Sequence, residues 1–170
     1  MLAFAVIFLL GANEESVYKF GLTAHGPVMP LITHVFVHNG MEHLLGNLYF
    51  FLPIATFMFL SKGIKTFFLM LIITLMQGAM VWAFGKPGMV YAGSSGLAYG
   101  CGFYVLTKGL LSMDRRYMLF SAAFLTIYFP VFCSFMDTGD GLSDISHVAG
   151  TLSGLLLSIS NYVLRPSRAH

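Results

Sequence analysis

The sequence predicts an all-α polytopic membrane protein, a bundle of six transmembrane helices, and three observations carry that prediction. Of the 170 residues, 57% are apolar and only 9% charged, against about 25% charged in an ordinary soluble domain. A chain this short cannot hide so much apolar surface inside one core. The second observation is span length. The stretches 66–85, 87–107, 117–136 and 145–164 lie between charged residues and reach the ~20 residues that a helix needs to cross a bilayer; 43–61 is nearly as long. Third, these runs are about twice the length of a membrane-barrel strand and lack its period-2 alternation.

The first ten residues are apolar but cross only about half of the hydrocarbon core. They have neither a positive n-region nor a clear small-residue cleavage site, so they read as the end of a first span, short or cut off, rather than a signal peptide. The whole chain, 1–170, reads as a single membrane domain with the lipid bilayer as its solvent. A soluble enzyme and a disordered tail are excluded. With a net charge of +2 and scattered basic residues there is no phosphate-binding stripe, so no nucleic-acid partner is expected. Cys101 and Cys133 lie in apolar runs and read as buried thiols.

Orientation follows from the basic residues. If the 13–40 segment faces outward, Lys62, Lys65, Lys108, Arg115, Arg116, Arg165 and Arg168 fall inside and only Lys19 and Lys86 outside. That obeys the positive-inside rule and puts the C-terminus in the cytoplasm, in a plasma or inner membrane.

Polar side chains at membrane depth are costly and by default suggest function. Residues 33–47 (THVFVHNGMEHLLGN) hold His34, His38, His43 and Asn47. His43 and Asn47 are four apart and share a helix face, which sets two donors beside one another, able to bind one oxygen. Residues 91–102 (YAGSSGLAYGCG) place Ser95 between Ser94 and Gly96 where a loop enters a helix. A helix N-terminus offers unpaired N–H groups and the positive end of the dipole, so a serine there has oxyanion donors in place. Residues 143–154 (SDISHVAGTLSG) place His147 about a turn inside an apolar helix. Gly96 with Gly100, and Gly150 with Gly154, are small-xxx-small pairs that allow close helix approach; Ala98 with Gly102 is another. If the first two glycine faces meet, Ser95 and His147 lie at the same depth.

Each feature alone has a bland reading: a packing motif, a satisfied histidine, a flexible turn. Together they supply a serine, a histidine and an oxyanion pair near the outer face. Other chemistries fit less well. His34 and His38 have i,i+4 spacing, but HExxH is absent and His38–Glu42–His43 misses HxxEH by one residue. No metal and no cofactor are expected.

These residues resemble the rhomboid family of intramembrane serine proteases, in its bacterial six-helix minimal form. Gly93-Ser94-Ser95-Gly96 is similar to the family's GxSG motif, His147 with Gly150 and Gly154 to its H-x-x-G-x-x-x-G pattern, and His43-x-x-x-Asn47 to its HxxxN. Tyr99 stands where the family often has a tyrosine against the catalytic histidine, and His34 and His38 stand where it often has histidines. The chain departs from the pattern at Met29-Pro30, where a Trp-Arg pair is frequent, at Phe59, where a glutamate is frequent before the glycine matched by Gly63, and at Ser146, where alanine is usual. The resemblance implies an endopeptidase that cuts single-span membrane proteins near the outer face. Ser95 would be the nucleophile and His147 its base, with an oxyanion hole of His43, Asn47 and the Ser95 N–H, and a second shell of Tyr99, His34 and His38. No acid is placed to orient His147, so the pair is a dyad. Pro87-Gly88 and Gly139-Asp140-Gly141 are expected to rim a wet cavity, 137–144 to cap it, and 117–136 to tilt for substrate entry. The alternatives are an inactive rhomboid-like binder of membrane proteins and a small carrier using His34, His38 and His43.

Overall fold

The computed structural model describes residues 11–136 and 142–164, with side-chain surroundings for 11–128 and 145–164. The 1–10 stretch, the Cys133 side chain and residues 137–141 of the expected cap lie outside what it describes.

A short helix, α1 (Glu14–Phe20), comes first. Asn13 caps it by accepting from the Ser16 N–H at 2.9 Å, and Glu14 and Glu15 suit its positive end. Strand β1 (Leu22–Thr23) follows, then the one-turn helix α2 (Pro30–Thr33), which passes into a 3₁₀ turn over His34–Phe36. Five long helices come next: α3 (Met41–Lys62), α4 (Lys65–Phe84), α5 (Ser95–Ser112), α6 (Arg115–Met136) and α7 (Leu142–Val163), with strand β2 (Val90–Tyr91) between α4 and α5. Helices α3 and α4 are each long and apolar enough to cross a bilayer.

Four of the expected spans match within a few residues. The exception is 87–107, because α5 begins only at Ser95. The residues before it turn at Gly88 and then pair with β1 in an antiparallel ribbon, Leu22 opposite Tyr91 and Thr23 opposite Val90. Nor do His34 and His38 share a helix: the 3₁₀ turn ends at Val37, which is extended.

The first loop is pinned without the Trp-Arg pair. Besides the ribbon, Trp82 Nε1 donates to the Gly26 carbonyl at 2.9 Å, the His25 N–H to the Trp82 carbonyl at 3.0 Å, and Thr33 Oγ1 to the Phe20 carbonyl at 2.9 Å. An indole from α4 thus anchors a loop that the usual tryptophan is absent from.

Helix α5 is the centre of the bundle. It contacts α3, α4, α6 and α7, the last most extensively, and it is buried on every side from Gly96 to Cys101. The α5–α7 approach is backbone on backbone. A methyl group built at Gly150 would strike the Gly96 carbonyl, and one at Gly154 the Gly100 carbonyl. The two glycine pairs face one another as their spacing predicts. The Ala98/Gly102 pair does not mediate such an approach, since a methyl at Gly102 would make only an ordinary contact with Ile54 Cδ1 at 3.6 Å. Between α3 and α6 the packing is aromatic: Phe57 stacks on Phe120 with centroids 4.1 Å apart, and Phe50 lies 5.1 Å from Phe124.

Candidate active site

The close α5–α7 approach sets the first turn of α5 beside the second turn of α7. Ser95 Oγ lies 3.0 Å from His147 Nε2, so the hydroxyl can donate to the ring nitrogen. His147 is buried, and Tyr99 stacks on it at a centroid distance of 4.4 Å and an interplanar angle of 12°. Tyr99 is one helical turn below Ser95, so the same face of α5 carries both the hydroxyl and the plate that orients the imidazole. Phe50 of α3 backs that plate at 5.5 Å. Ser146 packs its hydroxyl and carbonyl against Gly96, where a methyl group would meet them at 2.8 and 3.0 Å.

The turn into α5 is held from the first loop. Gly93 has φ +111°, a conformation that glycine adopts readily and other residues rarely. Its N–H donates to the His34 carbonyl at 2.9 Å, and the Ser94 N–H to His38 Nε2 at 3.2 Å, with Ser94 Oγ 3.3 Å from the same nitrogen. A methyl group at Gly93 would lie 2.9 Å from Asn47 Nδ2 and 3.0 Å from His43 Nε2. Glycine therefore keeps open a space that these two side chains line, two residues from Ser95.

The donors are identifiable. His43 Nδ1 accepts from the Asn39 N–H at 3.2 Å, so the neutral ring carries its proton on Nε2, the atom facing Gly93. The buried Asn47 carboxamide has no hydrogen-bond partner among the described residues. An unpartnered buried amide normally costs free energy, and a bound oxyanion would satisfy it. The first N–H groups of α5 also lack intrahelical acceptors.

His34 and His38 hold the turn that precedes Ser95. His34 Nδ1 donates to the Pro30 carbonyl at 2.7 Å, and its Nε2 accepts from Gln77 Nε2 at 3.1 Å. Both histidines thus work as struts under the turn. Gln77, a lone carboxamide in the uncharged 66–85 run, was legible only as a polar residue at membrane depth; it joins α4 to the first loop and is fully buried. Ser94 and Gly93 likewise have structural duties that the motif alone does not assign. Among the described residues, no group of three or more His, Cys, Asp or Glu is arranged to hold a metal ion.

Burial pushes His34 down to about 4, against the opposing bond to Pro30, and pushes His38 down to about 4 with His43 adding to the effect. Both are neutral at pH 7. Since the folded values lie below the unfolded value of 6.5, the unfolded chain binds more protons between pH 6.5 and 4. Stability present above 6.5 is therefore lost as pH falls through that window, by up to about 1.4 kcal/mol per pH unit for each ring. The thermal midpoint in detergent should fall from pH 6.5 to 4, and less steeply in His34→Gln; an unchanged slope in that variant would contradict the assignment.

A family model for the rhomboid domain matches residues 25–162, a segment that starts in the first loop and runs through almost all of α7. A comparison with curated proteins finds no match. The matched segment contains every group of the site described above, and the chain belongs to the rhomboid family of polytopic helical membrane proteins.

Proposed function

We propose that the protein is an intramembrane serine endopeptidase that cleaves single-span membrane proteins near the outer face of a bacterial inner membrane, with its C-terminus in the cytoplasm. The observation that carries this reading is the 3.0 Å contact between Ser95 Oγ and His147 Nε2.

In this reading His147 takes the hydroxyl proton as Ser95 Oγ attacks the scissile carbonyl carbon. The tetrahedral oxyanion is stabilised by His43 Nε2–H, Asn47 Nδ2–H and the Ser95 N–H. The ring then gives its proton to the leaving amine, and water, activated by the same ring, hydrolyses the acyl-enzyme. Tyr99, stacked on the ring at a centroid distance of 4.4 Å, orients the imidazole of His147. A helical substrate has its backbone already paired, so a segment with helix-breaking residues near the outer face is the preferred target.

The test is cleavage of a tagged single-span substrate by the protein reconstituted in liposomes. Cleavage is expected, slowed by about 10²–10³-fold in Asn47→Ala, the value of one oxyanion donor. Binding of the substrate without any cleavage would favour an inactive escort and overturn the protease reading. An unchanged rate in Asn47→Ala would remove that residue from the oxyanion hole.

A further inference from the structure

A cavity of about 450 Å³ lies at the other end of the bundle, between the α3–α4 connection and the C-terminal turns of α5 and α7. Lys108, on its wall, is 13 residues below Ser95 on α5, about 20 Å along the helix. We propose that this cavity holds the phosphate headgroup of an anionic phospholipid, with Lys62, Lys65 and Lys108 around the phosphate, the Ser158 hydroxyl as a donor to it, and an acyl chain along Phe68 and Ile72.

Four observations support it. Three lysines line one cavity, two flanking the α3–α4 turn and one on α5, and no carboxylate lines it among the described residues. Aromatic faces hold two of the ammonium groups in place: Lys62 lies 5.5 Å from the Tyr104 centroid and Lys108 5.1 Å from that of Tyr117.

Ser158 is independent of the charges. It lines the cavity and is only 3% exposed, yet its Oγ has no hydrogen-bond partner among the described residues. Serines inside helices commonly bond the carbonyl four residues back, as Ser153 does to Ala149 at 2.7 Å. Ser158 does not, and a bound acceptor would satisfy its hydroxyl.

The fourth observation separates a lipid from a free anion. The cavity is much larger than a phosphate, and its wall continues into Phe68 and Ile72, 57% and 40% exposed on α4. In a bilayer that face meets acyl chains. An amphiphile covers both the cationic floor and the apolar wall, whereas a soluble phosphate covers only the first. Anionic leaflet lipids are also drawn to clustered lysines at a membrane surface.

The test uses the full chain purified in a neutral detergent, offered phosphatidylglycerol, phosphatidylcholine or glycerol phosphate, with bound adducts counted by native mass spectrometry. Phosphatidylglycerol should be retained at least about tenfold more than phosphatidylcholine, and equimolar glycerol phosphate should not displace it. Lys65→Gln/Lys108→Gln should erase the preference, as should Ser158→Val, which keeps every charge; Lys19→Gln/Lys86→Gln should preserve it. Equal retention of the two lipids by the unmodified chain, which needs no variant, would overturn the proposal. So would displacement by glycerol phosphate, a preference surviving both cavity variants, or equal loss in the Lys19/Lys86 control.

Discussion

Ser95→Ala should reduce cleavage of a single-span substrate to background, a loss of at least ~10⁴-fold, while the protein still inserts and folds. Among the described residues the hydroxyl makes one hydrogen bond, to His147 at 3.0 Å, and a hydrogen bond of that kind contributes only about 1 kcal/mol to stability. Alanine at the first position of α5 keeps the helix and leaves the glycine contacts with α7 intact. The predicted signature is therefore a catalytic collapse with a nearly unchanged thermal midpoint, read by gel assay in proteoliposomes and by unfolding in detergent. Undiminished cleavage would exclude Ser95 as the nucleophile; loss of both properties together would mean that the residue is structural.

Gly150→Ala should have the opposite profile, damaging stability first and chemistry through it. The new methyl group would meet the Gly96 carbonyl carbon at 2.8 Å and its Cα at 3.1 Å, besides striking the oxygen. Those are backbone atoms of a central helix, which cannot rotate away as a side chain would, so α5 and α7 must part. Overpacking of this kind costs about 1–3 kcal/mol or more. Because His147 lies one turn above Gly150, the parting also lengthens the Ser95–His147 contact, and a misplacement of about 1 Å can cost 10²-fold in rate. Gly102→Ala, which adds a methyl in open van der Waals contact with Ile54, is the matched control and should change the midpoint little. Equal midpoints for the two variants would show that the helices do not depend on glycine for their approach.

The bundle was legible because length and charge placement act locally: an uncharged run of ~20 residues in a bilayer has few alternatives to a helix. The α5–α7 pairing was legible too, since small residues four apart expose backbone along one face. What spacing could not reveal were features made by distant chain segments. The loop-to-helix junction at Ser95 was legible from the glycines around it, but the ribbon that precedes it, Val90–Tyr91 paired with Leu22–Thr23, has no pattern of its own. His34 and His38 have helical spacing, but His34 sits on a 3₁₀ turn and His38 beyond the extended Val37 that ends it, because α2 starts at Pro30 and lasts one turn. The Gln77–His34 bond joins residues 43 positions apart, and the Trp82–Gly26 bond that secures the first loop spans 56. Within the site, the Ser95–His147 proximity follows from the glycine faces, whereas the open space at Gly93 shows only when φ, Asn47 and His43 are seen together.

The central claim is that Ser95 is a hydroxyl activated by His147. Reaction of the purified, membrane-reconstituted protein with a fluorophosphonate probe, with the adduct mapped by mass spectrometry, tests it most directly. The account predicts a single adduct on Ser95, absent in Ser95→Ala and strongly reduced in His147→Ala. An intact, folded protein that takes up no probe, or takes it up at another residue or undiminished without His147, would contradict it.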